Sequence, residues 1–265
     1  MRETVLFIDL DGTIMVNPFS RRVFPAVLGR LTEATGMTYA ALMDAITAEN
    51  WRRQHAPSPP SAAWVMDWDD IIADVARQHG APPDSITPGA CEWLAQQHAT
   101  PPDSATLDDA VTVLARIRAT GCRRLVVSSM GLSKYQLPVM RGLGLYDCFD
   151  DFLMPDLVGA LKFERAFYAR YLESPGGRLF ISVGDNYLHD VAFPRSLGFH
   201  SVLRLPVPEL NSLDPFERSA RMAAYGHLIQ YYPADPAAAT TLPDAIVTDL
   251  AQLPAVIERI EAQTA

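Results

Sequence analysis

Val5–Leu6–Phe7–Ile8–Asp9–Leu10–Asp11–Gly12–Thr13 is the stretch that decides the fold, because four apolar residues run directly into two acids and a glycine. A continuous apolar run is typical of a strand buried on both faces, as in a parallel sheet. In open α/β sheets, ligands bind beyond the carboxyl ends of the strands. The residues after Ile8 are therefore the first candidates for a functional site.

Further buried-strand patterns follow along the chain. Arg124–Ser129 ends in two hydroxyl side chains, Phe180–Asp185 ends in a carboxylate, and Ser201–Leu205 is a third such run. A short late strand is predicted over Ala245–Asp249, before a closing helix that begins near Leu253.

Helical patterns lie between these strands. Thr106 has the character of an N-cap, with Asp108 and Asp109 in the first turn of a predicted helix. Strand and helix alternate from residue 104 onward, which predicts an α/β fold with a doubly wound, Rossmann-like parallel sheet.

The spacing of apolar residues also predicts how the chain is divided. Residues 21–78 have a helical pattern that the proline-rich loop 56–61 interrupts. We therefore predict an inserted α-helical domain over residues 16–103, within an α/β core formed by residues 1–15 and 104–265. Within that core, residues 206–242 are predicted to be an insertion that consists of one helix and a long loop.

Composition excludes several classes of protein. The chain has 265 residues, of which 49% are hydrophobic, so it can form a real core. Its formal charge of −9 argues against a nucleic-acid partner, which needs clustered Lys and Arg. No apolar run approaches the roughly 20 residues of a membrane helix, so we expect no membrane partner. Three cysteines without a CxxC pair, and an N-terminus without signal-peptide features, favour a cytoplasmic protein.

Carboxylates follow two of the predicted strands, at Asp9, Asp11 and Asp185. Several acids that converge at one sheet edge would repel one another unless a cation lies between them. Mg²⁺ prefers a few carboxylates together with water and phosphate oxygens. The spacing of Asp9 and Asp11 also permits a nucleophile beside a general acid/base.

These motifs resemble those of the haloacid dehalogenase (HAD) superfamily in its phosphatase form, and they occur in the family's order. The first is residues 7–13, the second is Val126–Ser129, and the third is Gly159–Lys162. The fourth is Val183–Asp190, a Gly-Asp-x4-Asp pattern. The third motif departs from the family because Phe163 follows the lysine where proline is usual. Residues 16–103 lie where the family has its helical (C1) cap.

The resemblance implies a role for each matching residue. Asp9 would be the nucleophile, and Asp11 the acid/base, with its backbone carbonyl on Mg²⁺. Asp185 would bind the metal directly, and Asp190 would support it. The remaining positions would hold the phosphoryl group: Ser128 and Lys162 as catalytic residues, and Gly12, Thr13 and Ser129 as substrate-binding residues.

The resemblance implies a Mg²⁺-dependent phosphatase acting on a small phosphorylated metabolite, as a monomer or homodimer. Three alternatives stay open. A haloacid dehalogenase would also use Asp9 but would need neither Asp11 nor a metal. A phosphomutase would transfer the phosphoryl group within a sugar phosphate. A non-catalytic interaction module on the same scaffold should have lost at least one motif acid, and none is lost.

Overall fold

The computed structural model describes residues 3–56, 58–119, 122–173 and 176–264, so Pro57 of the predicted proline-rich loop lies outside it. Six parallel strands form the main sheet, in the order β5-β4-β1-β6-β7-β8, and β2 and β3 form a separate antiparallel pair. The strands are β1 (Thr4–Ile8), β2 (Met15–Val16), β3 (Ala105–Thr106), β4 (Arg123–Ser128), β5 (Asp151–Leu153), β6 (Leu179–Gly184), β7 (His200–Arg204) and β8 (Ala245–Val247).

Eleven α-helices are present in the described part of the chain. Short π-helical turns at Phe19–Val23 and Tyr187–Ala192 lead into two of them. The helices are α1 (Phe24–Thr35), α2 (Tyr39–Gln54), α3 (Ala62–Met66), α4 (Trp68–Gln78), α5 (Ala90–Gln97), α6 (Ala110–Ala119), α7 (Ser133–Gly142), α8 (Pro155–Val158), α9 (Ala169–Leu172), α10 (Phe193–Ser196) and α11 (Leu253–Thr264). The doubly wound parallel α/β fold is confirmed.

Both faces of β1 are buried, as its apolar run predicts. Leu6 and Ile8 pack in one core cluster with α6, α7 and α11. Phe7 points to the opposite face, where its ring lies 5.2 Å from the ring of Tyr168 and 5.2 Å from that of Phe199. Burial of each such side chain contributes about 1.5–3 kcal/mol to folding. The two layers fix β1 at the centre of the sheet, and with it the loop that carries the first acids.

Helices α1 to α5 form the helical segment, residues 16–103, with an apolar core of its own. This core includes Ile71, Ile72 and Val75 of α4, which lie at the spacing of one helical face. Tyr135 of α7 joins the same cluster, so the segment packs directly against the α/β core. Its division from the core at residues 16 and 103 remains a prediction.

The N-cap prediction for Thr106 is wrong. Thr106 pairs with Met15 in the β2–β3 ribbon, and α6 begins only at Ala110. Asp108 and Asp109 lie between ribbon and helix with positive φ angles of 46° and 51°. Because Thr106 is hydrogen-bonded in the β2–β3 ribbon, it cannot serve as the N-cap of α6, and the helix starts four residues later.

Residues 206–242 contain short 3₁₀ helices, the longest of which is Arg218–Leu228, together with irregular chain. They pack on β7 through Leu210, Met222 and Ile229. The buried Arg218 guanidinium donates to the Leu210 and Ile246 carbonyls, each at 2.9 Å. This region is therefore tied closely to the sheet. Among all described residues, no helix combines the length and apolar character needed to cross a bilayer.

Candidate active site

Three central strands end at the same level of the sheet. Ile8 pairs in register with Val127 of β4 and with Val183 of β6, so the residues that follow each strand meet at one edge. Asp9 follows β1, and Asp185 follows β6. The convergence that the sequence indicates is thus produced by parallel register.

Lys162 lies between two carboxylates at this edge. Its Nζ is 2.7 Å from Asp9 Oδ1 and 2.6 Å from Asp190 Oδ1, and its side chain is only 2% exposed. Burial alone would lower the pKa of Lys162, but the neighbouring charges of Asp190 and Asp9 outweigh it and hold that pKa above its usual range. The lysine therefore stays cationic. Phe163, which follows it where proline is usual, does not prevent its contacts with the two carboxylates.

Asp9, Asp185 and Asp190 form a compact group of carboxylates. One oxygen from each lies within 4.8 Å of the others. Burial, followed by the charges of Asp9 and Asp190, raises the pKa of Asp185 to about 8. Such a shift marks negative charge that the described residues do not neutralise. An all-oxygen donor set of this kind fits Mg²⁺.

Two glycines make room for these carboxylates. A Cβ atom on Gly12 would collide with the carboxylate of Asp185, and one on Gly184 would collide with that of Asp190. Gly12 also has a φ of +77°, which favours glycine. The loop after β1 can therefore approach Asp185 only because residue 12 has no side chain.

Asp11 lies beside this group, outside the cluster of three carboxylates. Its Oδ2 accepts a hydrogen bond of 2.6 Å from Gln136 Nε2, whereas its Oδ1 is buried without a partner among the described residues. Burial raises the pKa of Asp11 to about 7, although the Gln136 hydrogen bond opposes the shift and the charge of Asp9 adds to it. Near neutral pH this carboxyl can therefore both give and accept a proton.

The predicted hydroxyl residues occupy different positions. Thr13 Oγ1 lies 3.5 Å from Asp9 Oδ2. Ser128 is buried, with its Oγ 3.4 Å from the Tyr168 hydroxyl, and it is not among the residues that line the cavity over the carboxylates. Ser129 does line that cavity, and its Oγ accepts a 3.0 Å hydrogen bond from the Gly131 N–H. Ser129 therefore lies at the edge of the cavity, whereas Ser128, which was predicted to be catalytic, does not.

A cavity of about 270 Å³, the candidate catalytic cavity, opens above the carboxylates. Asp9, Asp11, Lys162 and Asp185 form part of its lining. The helical segment contributes an opposing wall, which consists of Asn17, Asn50, Gln54, Met66 and Trp68. A ligand in this cavity would contact both parts of the molecule.

Three further lining residues have no signal in the sequence. Gln136 comes from α7, and Gln230 and Tyr231 come from the 206–242 region. The Gln230 carbonyl accepts a 2.9 Å hydrogen bond from the Tyr187 N–H, which fixes this region beside the fourth motif. Only a knowledge of the tertiary contacts could have identified these residues.

The imidazole of His189 adjoins the same cavity. It stacks on Phe163 at 5.5 Å and lies 5.3 Å from the ring of Tyr231. Burial, reinforced by Lys162, lowers the pKa of His189 to about 3, so the ring is neutral. Its ring contacts with Phe163 and Tyr231 indicate a packing role for His189.

Comparison with known proteins identifies relatives of this fold and sequence. No family model matches the chain. A human protein named haloacid dehalogenase-like hydrolase domain-containing protein 3 is 28% identical over 158 residues, which are 58% of this chain and 60% of that protein. The matched region thus spans less than two thirds of that relative.

Solved structures agree with the fold over nearly the whole chain. A HAD phosphatase from Thermococcus onnurineus has a TM-score of 0.64 at 20% identity, with 96% of this chain and 97% of that one covered. A putative HAD-hydrolase from Bacillus subtilis, bound to magnesium, has a TM-score of 0.63 at 14% identity, covering 97% and 99%. The L-2-haloacid dehalogenase from Xanthobacter autotrophicus has a TM-score of 0.57 at 16% identity, covering 96% and 98%. The shared architecture therefore includes phosphatases and dehalogenases.

Proposed function

We propose that this chain is a member of the haloacid dehalogenase superfamily and a Mg²⁺-dependent phosphatase. Its substrate is a small phosphomonoester, which it hydrolyses through an aspartyl-phosphate on Asp9. The observation that carries this proposal is the buried Lys162 ammonium on Asp9, next to two further carboxylates.

In the first step, a carboxylate oxygen of Asp9 attacks the phosphorus of the substrate. The new oxygen–phosphorus bond forms as the bond to the leaving group breaks. Asp11 gives its proton to the leaving oxygen, for which a pKa near 7 is suited. Lys162 fixes the orientation of Asp9 and offsets negative charge on the transferred group.

In the second step, water attacks the aspartyl-phosphate. Asp11, now ionised, takes a proton from that water, and the bond between Asp9 and phosphorus breaks to release inorganic phosphate. Gln136 holds Asp11 in place through both steps because its amide donates to the carboxylate. Ser129 lines the cavity, where its hydroxyl can bind a phosphoryl oxygen. The predicted substrate-binding residues Gly12 and Thr13 do not line it, and their N–H groups donate to the Met15 and Leu10 carbonyls instead.

Asp9, Asp185, Asp190 and the backbone carbonyl of Asp11 would hold Mg²⁺. When bound, the ion would neutralise charge on the phosphoryl oxygens and on the carboxylates themselves. The helical segment, residues 16–103, serves as a cap that contacts the leaving group and excludes water. We further propose that the protein acts in the cytoplasm on a phosphorylated metabolite, as a monomer or homodimer and without nucleic-acid or membrane partners.

Phosphate release from p-nitrophenyl phosphate tests the proposal. We expect release that depends on Mg²⁺, is lost in chelator and falls by about 10³-fold or more in Asp9→Asn. Asp44→Asn is the matched control, because Asp44 is exposed in the helical segment, and it should behave as wild type. Release that persists in Asp9→Asn would contradict the nucleophile assignment.

A dehalogenase remains the second candidate because L-2-haloacid dehalogenases share the fold. Chloride release from L-2-chloropropionate, without Mg²⁺, would favour it over the phosphatase. A phosphomutase would instead move phosphate between positions of a sugar phosphate without releasing it. The pairing of Asp11 with Gln136 supports the phosphatase, since a dehalogenase has no use for an acid there.

A further inference from the structure

A second cavity adjoins the catalytic one. It measures about 260 Å³ and lies between the end of α2 and the turns that follow the third and fourth motifs. Gln54, His189 and Tyr231 line both cavities, so the two form one continuous groove that leads away from Asp9. A molecule held at the carboxylates can therefore extend into the second cavity.

Most of the side chains that line this second cavity are aromatic or aliphatic, and several of them are accessible to solvent. Trp51 of α2 is 54% exposed, and Leu188 and Tyr231 on the facing wall are 42% and 46% exposed. Phe163 completes the apolar surface. Large apolar side chains on two sides of a groove stabilise a flat apolar ligand by removing its surface and theirs from water.

Tyr231 is held at the junction of the two cavities at a cost. Its φ is +52°, in the left-handed region, which is unfavourable by about 1–3 kcal/mol for a bulky residue. The adjacent Gln230 pairs with Asn186, next to the metal-binding Asp185, and this pairing sets the direction of the chain. The Gln230–Asn186 pairing thus offsets the backbone strain and keeps the Tyr231 ring where the groove leaves the catalytic site.

Among the described residues that line the groove, no Lys or Arg is left to pair with a second negative charge, and His55, which lines the second cavity, has its Nδ1 atom 2.8 Å from the Trp51 carbonyl oxygen. Of the described residues that line either cavity, Lys162 is the single Lys or Arg, and it is paired with Asp9 and Asp190. The neighbouring Arg52 and Arg53 both bind Glu49. A carboxylate or second phosphate on the leaving group would therefore meet no lysine or arginine there that could act as its counter-ion.

Polar groups at the catalytic end fit hydroxyls. The Gln136 Oε1 atom is buried without a partner among the described residues, and its side chain lines the catalytic cavity. A buried acceptor of this kind needs a donor, which a hydroxyl near the ester supplies. Gln54 offers a second amide where the two cavities meet.

We propose that the substrate is a phosphomonoester with an uncharged leaving group that has hydroxyls next to the ester and a flat apolar ring system at its far end. A nucleoside 5′-monophosphate has this chemistry. The phosphoryl group lies at Asp9, the hydroxyls lie near Gln136 and Gln54, and the ring lies between Trp51 and Tyr231. This inference rests on the proposed phosphatase function.

Matched substrates test each part of this inference with the full chain in Mg²⁺. Uridine 5′-monophosphate and ribose 5-phosphate differ by the base, and orotidine 5′-monophosphate adds a carboxylate to that base. We expect kcat/KM for uridine or adenosine 5′-monophosphate to exceed that for ribose 5-phosphate and for orotidine 5′-monophosphate by at least about tenfold. A ratio near one for either comparison would overturn the inference.

Two tryptophan variants locate the ring. Trp51→Ala should reduce the preference for the nucleoside monophosphates over ribose 5-phosphate by about tenfold. Trp93→Ala is the matched control, because Trp93 is 59% exposed on α5 and lines neither cavity of the groove. It should leave the preference unchanged, and circular dichroism should show both variants folded.

The possible failures are distinguishable. An equal loss for every substrate in Trp51→Ala would assign Trp51 to packing of the helical segment and would overturn its role in ring binding. A preference for nucleoside monophosphates that survives Trp51→Ala would also overturn the role of Trp51 in ring binding. If no ester is hydrolysed at all, including p-nitrophenyl phosphate, the proposed phosphatase function itself fails.

Discussion

Two buried cations in this molecule each contact two carboxylates, but the balance of charge around them differs. Arg53 in the helical segment lies between Glu49 and Asp74, and Lys162 at the sheet edge lies between Asp9 and Asp190. Around Arg53 the acids have further partners, because Arg52 binds Glu49 and Arg77 binds Asp74. Around Lys162 a single cation serves a cluster of three carboxyl groups, those of Asp9, Asp185 and Asp190.

The pKa values report this difference. The Arg52 hydrogen bond, which outweighs the opposing effect of burial, lowers the pKa of Glu49 to about 2. At the sheet edge burial raises the pKa of Asp11 to about 7. A balanced cluster is a structural element, whereas a cluster with surplus negative charge is suited to a cation and to proton transfer. The pKa values therefore distinguish the Arg53 cluster from the Lys162 cluster, although both consist of a buried cation between two carboxylates.

The largest expected effect is on stability, at the balanced cluster. Arg53→Met should lower the free energy of unfolding by about 3–5 kcal/mol, because it removes the buried cation that joins Glu49, Asp74 and the Trp64 carbonyl. Urea denaturation measures this loss. Arg77→Met is the control: its side chain is 74% exposed, so its loss should cost about 1 kcal/mol or less. Equal losses in the two variants would mean that the Arg53 cluster is not structural.

A smaller effect is expected from Mg²⁺ at the unbalanced cluster. Free Mg²⁺ at 100 times its dissociation constant should stabilise the protein by about 2.7 kcal/mol, since it binds only the folded site. Calorimetry should then show a rise in Tm that Asp185→Asn abolishes and Asp44→Asn retains. A rise of the same size in Asp185→Asn would place the ion elsewhere.

The smallest effect is the pH dependence that Glu49 contributes. Its pKa is lower in the folded chain than its ordinary value of 4.5. The stabilisation is therefore complete above about pH 4.5 and is lost as the pH falls towards 2. Glu49→Gln should be less stable than wild type by about 1 kcal/mol at pH 7, and the gap should narrow at pH 3.5. Urea denaturation at the two pH values checks this, and a gap that widens in acid would contradict the sign.

Much of the fold could be predicted because each central strand is an apolar run buried on both faces. Parallel register then brings the residues after Ile8 and Val183 together without further information. For this reason the sequence indicates that Asp9 and Asp185 lie together. Lys162 is harder to predict from the sequence, because the third motif lacks its usual proline. Its contact with Asp9 in the structure identifies it as the lysine of the site.

The remaining features depend on contacts between distant parts of the chain. Thr106 has the pattern of a helix N-cap, but a two-residue pairing with Met15 overrides that local preference. Gln136 is an ordinary polar residue on an amphipathic helix until the fold brings it to Asp11. Tyr231 follows a 3₁₀ helix with no periodic pattern, so its position beside His189 is set by tertiary packing.

The β2–β3 ribbon has a consequence for how this protein can vary. Val16 and Ala105 are directly paired, so the chain leaves the α/β core and returns to it at neighbouring points. The length of chain between those points does not affect the register of the main sheet, and the entropy of closing such a loop grows only slowly with its length. The intervening segment is therefore an exchangeable module: evolution, or a protein engineer, can graft a different one onto the same pair of residues and present the unchanged acids to a different molecule.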